Sequence, residues 1–170
     1  FTDASGNTNT AGKSLDLTID TILPTLKLTA DKQNLIIGDT ATITATFSEE
    51  IEDFYPIGLT VKGGALGTIT GTGKVYTVVY TPAKGSTGAG SVKVGQKSFD
   101  DLLGNFNTVE ETLGFTIDTE APTISITANK TKLAVGETAT LSFALSESAT
   151  DFVQSDITIV GGTISNFSGS

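Results

Sequence analysis

Apolar and polar residues alternate along most of this chain. Leu26 and Leu28 face one way in Thr25–Ala30, with Lys27 and Thr29 facing the other. Period two predicts a strand with one wet face. Thr40–Phe47 repeats the pattern, with Ala41, Ile43, Ala45 and Phe47 opposite a row of threonines. Further strands are predicted at Leu59–Lys62, Leu66–Thr70, Val75–Thr81, Gly90–Val94 and Thr112–Ile117. Turns are predicted at Leu35–Asp39, Gly63–Gly64, Gly71–Gly73 and the Gly-rich stretch after Pro82. The predicted core is Leu26, Leu28, Ile43, Phe47, Leu59, Val61, Tyr76, Val78, Val92, Val94, Phe115 and Ile117. Short strands with a turn every 8–12 residues fit an all-β antiparallel sandwich.

The pattern recurs. Shifted by 98 residues, Phe1–Thr72 falls on Phe99–Ser170 without a gap, and 29 of the 72 pairs are identical. A period near 100 residues is a whole domain, so the chain reads as tandem immunoglobulin-like sandwiches of about 98 residues each. Pro24 and Pro122 stand four residues after Asp20 and Asp118, and proline suits a junction because it cannot donate to a strand ladder. The expected units are 1–21, the end of one repeat; 22–119, a complete repeat; and 120–170, the first half of another. A chain that starts without Met and stops inside a repeat is expected to be a piece of a longer protein.

Thr is the commonest residue, at 30 of 170, and Gly follows at 19, which suits strands and turns. A net charge of −9 with ten Lys and no Arg argues against nucleic acid and against contact with anionic membranes. No run is long enough to span a bilayer as a helix. There is no His and no Cys, so the usual nucleophile–base pairs are absent, and with no Trp for sugar stacking an enzyme is not expected. Gly71-Thr-Gly73-Lys74 is a glycine turn between strands, since Thr68 and Val75 stand where a phosphate loop needs Gly and Ser/Thr. Without disulfides, a bound metal is the obvious way to reinforce small domains.

The candidate chemistry is acidic. In a seven-strand sandwich, the loops after the second and sixth strands return to the pole at which the chain enters. They carry Ser48–Asp53 and Asp100–Asn105, and the entering chain carries Asp20. Asp20, Glu49, Asp101 and Asn105 are therefore expected at one junction. Asp118 and Glu147 are expected at the next, with Glu120 and Asp151 as further candidates there. Two carboxylates about 4 Å apart repel by roughly 4 kcal/mol at an effective dielectric of about 20, unless a cation lies between them. Ca²⁺ takes 6–8 oxygen ligands, whereas Zn²⁺ and Cu²⁺ favour His or Cys. Plain turn chemistry is the alternative, because Asp, Gly and Asn make turns without any metal.

The motif order is Asp-Thr-x-x-Pro-Thr, Gly-(Asp/Glu)-Thr-Ala-Thr, (Phe/Leu)-Ser-Glu, Thr-(Val/Ile)-x-Gly-Gly and Asp-x-x-Gly-Asn. It resembles the bacterial Ig-like repeats of large extracellular adhesins and other surface repeat proteins. The resemblance implies a stalk or spacer on the bacterial surface, its partners being neighbouring repeats of the same chain, with junctions stiffened by Ca²⁺. Two other readings stand beside it. One is a subunit of an extracellular filament or surface layer with lateral self-assembly. The other is a module that binds glycan or ice through threonine faces such as Thr40, Thr42, Thr44 and Thr46.

Overall fold

A computed structural model of the chain describes residues 1–54 and 58–169, and for Asp53 the backbone alone. Two compact units separate at Thr119/Glu120. Among the described residues the first holds eleven strands: β1 (Leu26–Ala30), β2 (Asn34–Ile36), β3 (Ala41–Phe47), β4 (Ile51–Phe54), β5 (Leu59–Lys62), β6 (Gly64–Leu66), β7 (Thr70–Thr72), β8 (Val75–Pro82), β9 (Thr87–Val94), β10 (Phe99–Asp101) and β11 (Glu111–Asp118). One sheet runs β1-β3-β8-β6, with β7 also on β8, and the other runs β2-β11-β9-β5. All pairs are antiparallel except β2 with β11, which are parallel. A third, two-stranded sheet joins β4 to β10, and its register shifts between Asp100 and Asp101.

Alternation explains the layers. In β3, Ala41, Ile43, Ala45 and Phe47 are buried. In β11, Leu113, Phe115 and Ile117 are buried while Thr112, Gly114 and Thr116 are exposed. Burying a side chain of this size contributes about 1.5–3 kcal/mol. Phe47 meets Phe54, Tyr76 and Phe99 edge-on. Tyr80 is wholly buried, stacks on Phe115 at 4.4 Å and donates its hydroxyl to the Lys62 carbonyl at 2.8 Å. That close approach leaves no room for a Cβ at Gly90, which would come within 2.5 Å of Tyr80 Oη and 2.6 Å of Ile117 Cδ1.

Several short elements differ from the expectation. Leu35 is not a turn residue but lies in β2, 1% exposed, with the turn following at Gly38 (φ +83°). The expected acidic loop contains β4, where Ile51 is buried between acids. Asp100 and Asp101 end β10. The expected strand at Leu66–Thr70 is two pieces, β6 and β7, both paired with β8. Gly64 opens β6 and is not a turn residue; an added Cβ there would meet the Thr81 carbonyl at 2.4 Å. Of the predicted core, Leu26, Leu59, Val61, Tyr76 and Val78 are partly buried and pack against the fully buried set.

The second unit contains β12 (Ile124–Ala128) and β13 (Leu141–Leu145), paired antiparallel, and a short 3₁₀ turn at Gln154–Asp156. Phe152 contacts both Phe143 and Phe167.

Candidate functional site

Three segments converge at one end of the first unit. β10 brings Asp101, the turn after β3 brings Glu49, and the extended chain ahead of β1 brings Asp20. One carboxylate oxygen from each lies within 4.8 Å of the others, the single such acidic group among the described residues. They border an open cleft of about 360 Å³, which Thr18, Glu50, Leu102 and Leu103 also line.

Each acid is held by its own local structure. Asp101 is 2% exposed and heads a tight loop. Its Oδ1 accepts from the backbone N–H of Leu103 at 2.8 Å and of Asn105 at 2.9 Å, and its Oδ2 accepts from Asn105 Nδ2 at 2.7 Å. The Asn105 N–H, then the Asn105 amide and the Leu103 and Gly104 N–H groups, hold this carboxyl below the usual aspartate range, against the effect of burial. Gly104 supplies the positive φ (+82°) that the loop requires. Glu49 is placed by its neighbour: Ser48 donates its N–H to the Thr25 carbonyl at 3.0 Å and accepts the Thr25 N–H on Oγ at 2.9 Å. Asp20 accepts the Ile22 N–H at 2.9 Å, and its carbonyl accepts Asn105 Nδ2 at 3.3 Å. The Asn105 amide nitrogen therefore faces both Asp101 and Asp20. Its role in this arrangement is to position the two acids, where the sequence suggested a ligand oxygen.

The chain contains a second copy of the loop. Asp3 accepts the Ser5 and Asn7 N–H groups at 2.9 Å each, and Asn7 Nδ2 donates to Asp3 Oδ2 at 2.9 Å. Gly6 has φ +87°. This copy is exposed, and no group of acids gathers around it among the described residues. Turn chemistry thus accounts for the loop by itself. It does not account for the approach of Asp20 and Glu49, nor for Glu49 Oε1, which is out of contact with water and has no hydrogen-bond partner. A buried carboxylate oxygen without a donor is costly and points to something that neutralises it.

Asn107 supports the site from beneath. It is 1% exposed; its Oδ1 accepts the Ser98 and Phe99 N–H groups at 2.8 and 3.2 Å, and its Nδ2 donates to the Gly95 and Val109 carbonyls at 2.8 and 3.0 Å. The sequence reading missed it by stopping its motif at Asn105. The repeat carried the signal, because Asn9 occupies the same place and donates to the Ala11 carbonyl in the same way.

Asp118 is exposed at the end of β11, in the first unit. Glu120, Glu147 and Asp151 are exposed in the second. There, Ser146 and Thr123 exchange the same two hydrogen bonds, each at 2.9 Å, so Glu147 follows its strand as Glu49 does. Tyr55, one of three tyrosines considered for a binding face, lies outside the described residues; Tyr76 and Tyr80 pack into the sandwich.

A family model described as a bacterial Ig-like domain matches residues 20–117 and again 118–170. Comparison with curated proteins gives no match. No helix is long and apolar enough to cross a membrane among the described residues.

Proposed function

The chain belongs to the bacterial Ig-like domain family, and from that premise we propose that it is a spacer segment of a bacterial surface protein, stiffened at its junctions by Ca²⁺. The observation that carries the cation is Glu49 Oε1, buried without a donor beside Asp20 and Asp101. Those three side chains would hold the ion and water would complete its shell, as a hard cation with 6–8 oxygen ligands allows. With no His or Cys in the chain, softer metals lack their preferred donors.

The ligands suit a stiffening role. Asp20 lies on the chain entering the sandwich, whereas Glu49 and Asp101 belong to the sandwich itself. An ion shared among them ties the entering chain to the domain and removes freedom that a short linker otherwise retains. Asn105 makes part of the same tie without a cation, through the Asp20 carbonyl. On this reading the domain acts extracellularly, where Ca²⁺ is abundant enough for sites of millimolar to submillimolar affinity.

Small-angle scattering of the chain with Ca²⁺ and with EDTA tests the proposal. The expected outcome is a longer maximum dimension and a narrower distribution of shapes in Ca²⁺. Superimposable profiles would end the stiffening role, and a flat calorimetric titration with Ca²⁺ would end the site itself.

A further inference from the structure

We infer that a second cation binds at Asp100, on the face of the β4–β10 ribbon turned away from the core. Asp100 is 8% exposed, and its Oδ1 is out of contact with water and has no hydrogen-bond donor among the described residues. None of the three ion pairs among the described residues includes it. A buried carboxylate oxygen with neither donor nor counter-charge is costly, and it points to a positive partner. The register adds a second acid. Asp53 stands directly opposite Asp100 in the β4–β10 ladder. Residues opposite one another in an antiparallel pair share a face, with Cβ atoms about 4.5–5.5 Å apart, and like charges there repel. The next pair along, Phe99 with Phe54, turns inward, since both rings meet Phe47. Alternation therefore sends the Asp100 position to the outer face. There it lies between β4 on one side and Phe106 on the other, which accounts for its burial.

Neither Asp20 nor Glu49 takes part. Ca²⁺ holds its oxygens at about 2.3–2.6 Å, so those of one ion lie within about 5 Å of each other. Asp100 contributes no oxygen to the group formed by Asp20, Glu49 and Asp101. The ion at Asp100 is therefore additional to the one under the proposed function. Nor does this site follow the repeat. The 98-residue register puts Thr2 in place of Asp100, whereas Asp101 recurs as Asp3 and Glu49 as Glu147. The isolated pair Thr2 with Thr8 matches Asp100 with Phe106, so the backbone arrangement recurs without the acid. The site belongs to this repeat alone of the two. With no His or Cys in the chain, a hard divalent cation such as Ca²⁺ fits, its shell completed by carbonyls and water. Its effect is local. Strands of four and three residues, as β4 and β10 are, hold poorly as an isolated pair. An ion on their outer face clasps the ribbon that follows Glu49 and carries Asp101.

The test is calorimetric titration of the metal-stripped 170-residue chain with Ca²⁺ alone. Two equivalents are expected to bind. In Asp100→Asn, which keeps the shape, and in Asp100→Thr, which installs the residue found one repeat earlier, one equivalent is expected to weaken by at least about tenfold while the other is kept. Glu49→Gln is expected to lose the other equivalent and keep this one. A second readout leaves Asp100 itself unaltered: in the Glu49→Gln chain, Ca²⁺ is expected to shift the backbone amide resonances of Asp100 and of its ladder partner Asp53. A single equivalent that disappears with Glu49→Gln, two equivalents that survive Asp100→Asn, or an Asp100 amide that Ca²⁺ leaves unmoved would each overturn the inference and leave the proposed function standing. An equivalent lost with Asp100→Asn and none lost with Glu49→Gln would support the inference and overturn the earlier site. A flat titration would overturn both.

Discussion

Glu49 ends in an oxygen that touches neither water nor a donor, while its neighbours Asp20 and Asp101 carry the same sign of charge. Glu49→Gln keeps the shape and removes the charge. Calorimetry is expected to show Ca²⁺ affinity at least tenfold weaker, which is about 1.4 kcal/mol, while the melting temperature in EDTA stays the same or rises. Asp101 gives a dependence on pH. Its folded carboxyl titrates below the ordinary aspartate value, so its contribution to stability is present above that value and is lost as pH falls through the folded one. The loss is therefore expected at and below about pH 4, and chemical-shift titration of the Asp101 carboxyl checks it; a midpoint above the ordinary value contradicts the hydrogen-bond assignment. Asn107 is a structural matter. Asn107→Ala strips partners from two buried N–H groups and two carbonyls, and urea denaturation is expected to show a loss of about 3 kcal/mol.

At the level of strands, the long elements were legible and the short ones were not. β3, β8, β9 and β11 are seven or eight residues each, long enough for alternation to show against the background. β2, β6, β7 and β10 are three residues each and exist because a partner strand passes beside them. Nothing in Asn34-Leu35-Ile36 announces a parallel partner 82 residues away. β4 was hidden for another reason: Glu49, Glu50, Glu52 and Asp53 surround Ile51, and the acids masked one buried apolar residue. The approach of Asp20, Glu49 and Asp101 follows the expectation, although the seven-strand count behind it gives way to eleven strands; the repeat marks which acids recur. What the sequence could not show is that the Asn105 amide turns its nitrogen toward the acids. Glycine carries a further lesson about packing. Gly90→Ala places a methyl against Tyr80 Oη and Ile117 Cδ1, and overpacking of this kind is expected to cost about 1–3 kcal/mol, measurable by thermal or urea unfolding; an unchanged midpoint would show that Tyr80 has room to move.

Across the whole molecule, the repeat was the most legible feature, since identities at a fixed spacing need no knowledge of folding. The two family matches follow the same period. Under the proposed spacer role, the parallel pairing of β2 with β11 has a mechanical consequence. In that role, a pull on the chain would enter the first unit through the segment ahead of β1 and leave through the end of β11. Parallel neighbours loaded from opposite ends slide past one another, so the hydrogen bonds of the patch Thr116–Asp118 against Asn34–Ile36 bear the load together. In that role Asn34–Ile36, which also bury Leu35 in the core, would set how hard the domain can be tugged before it gives way.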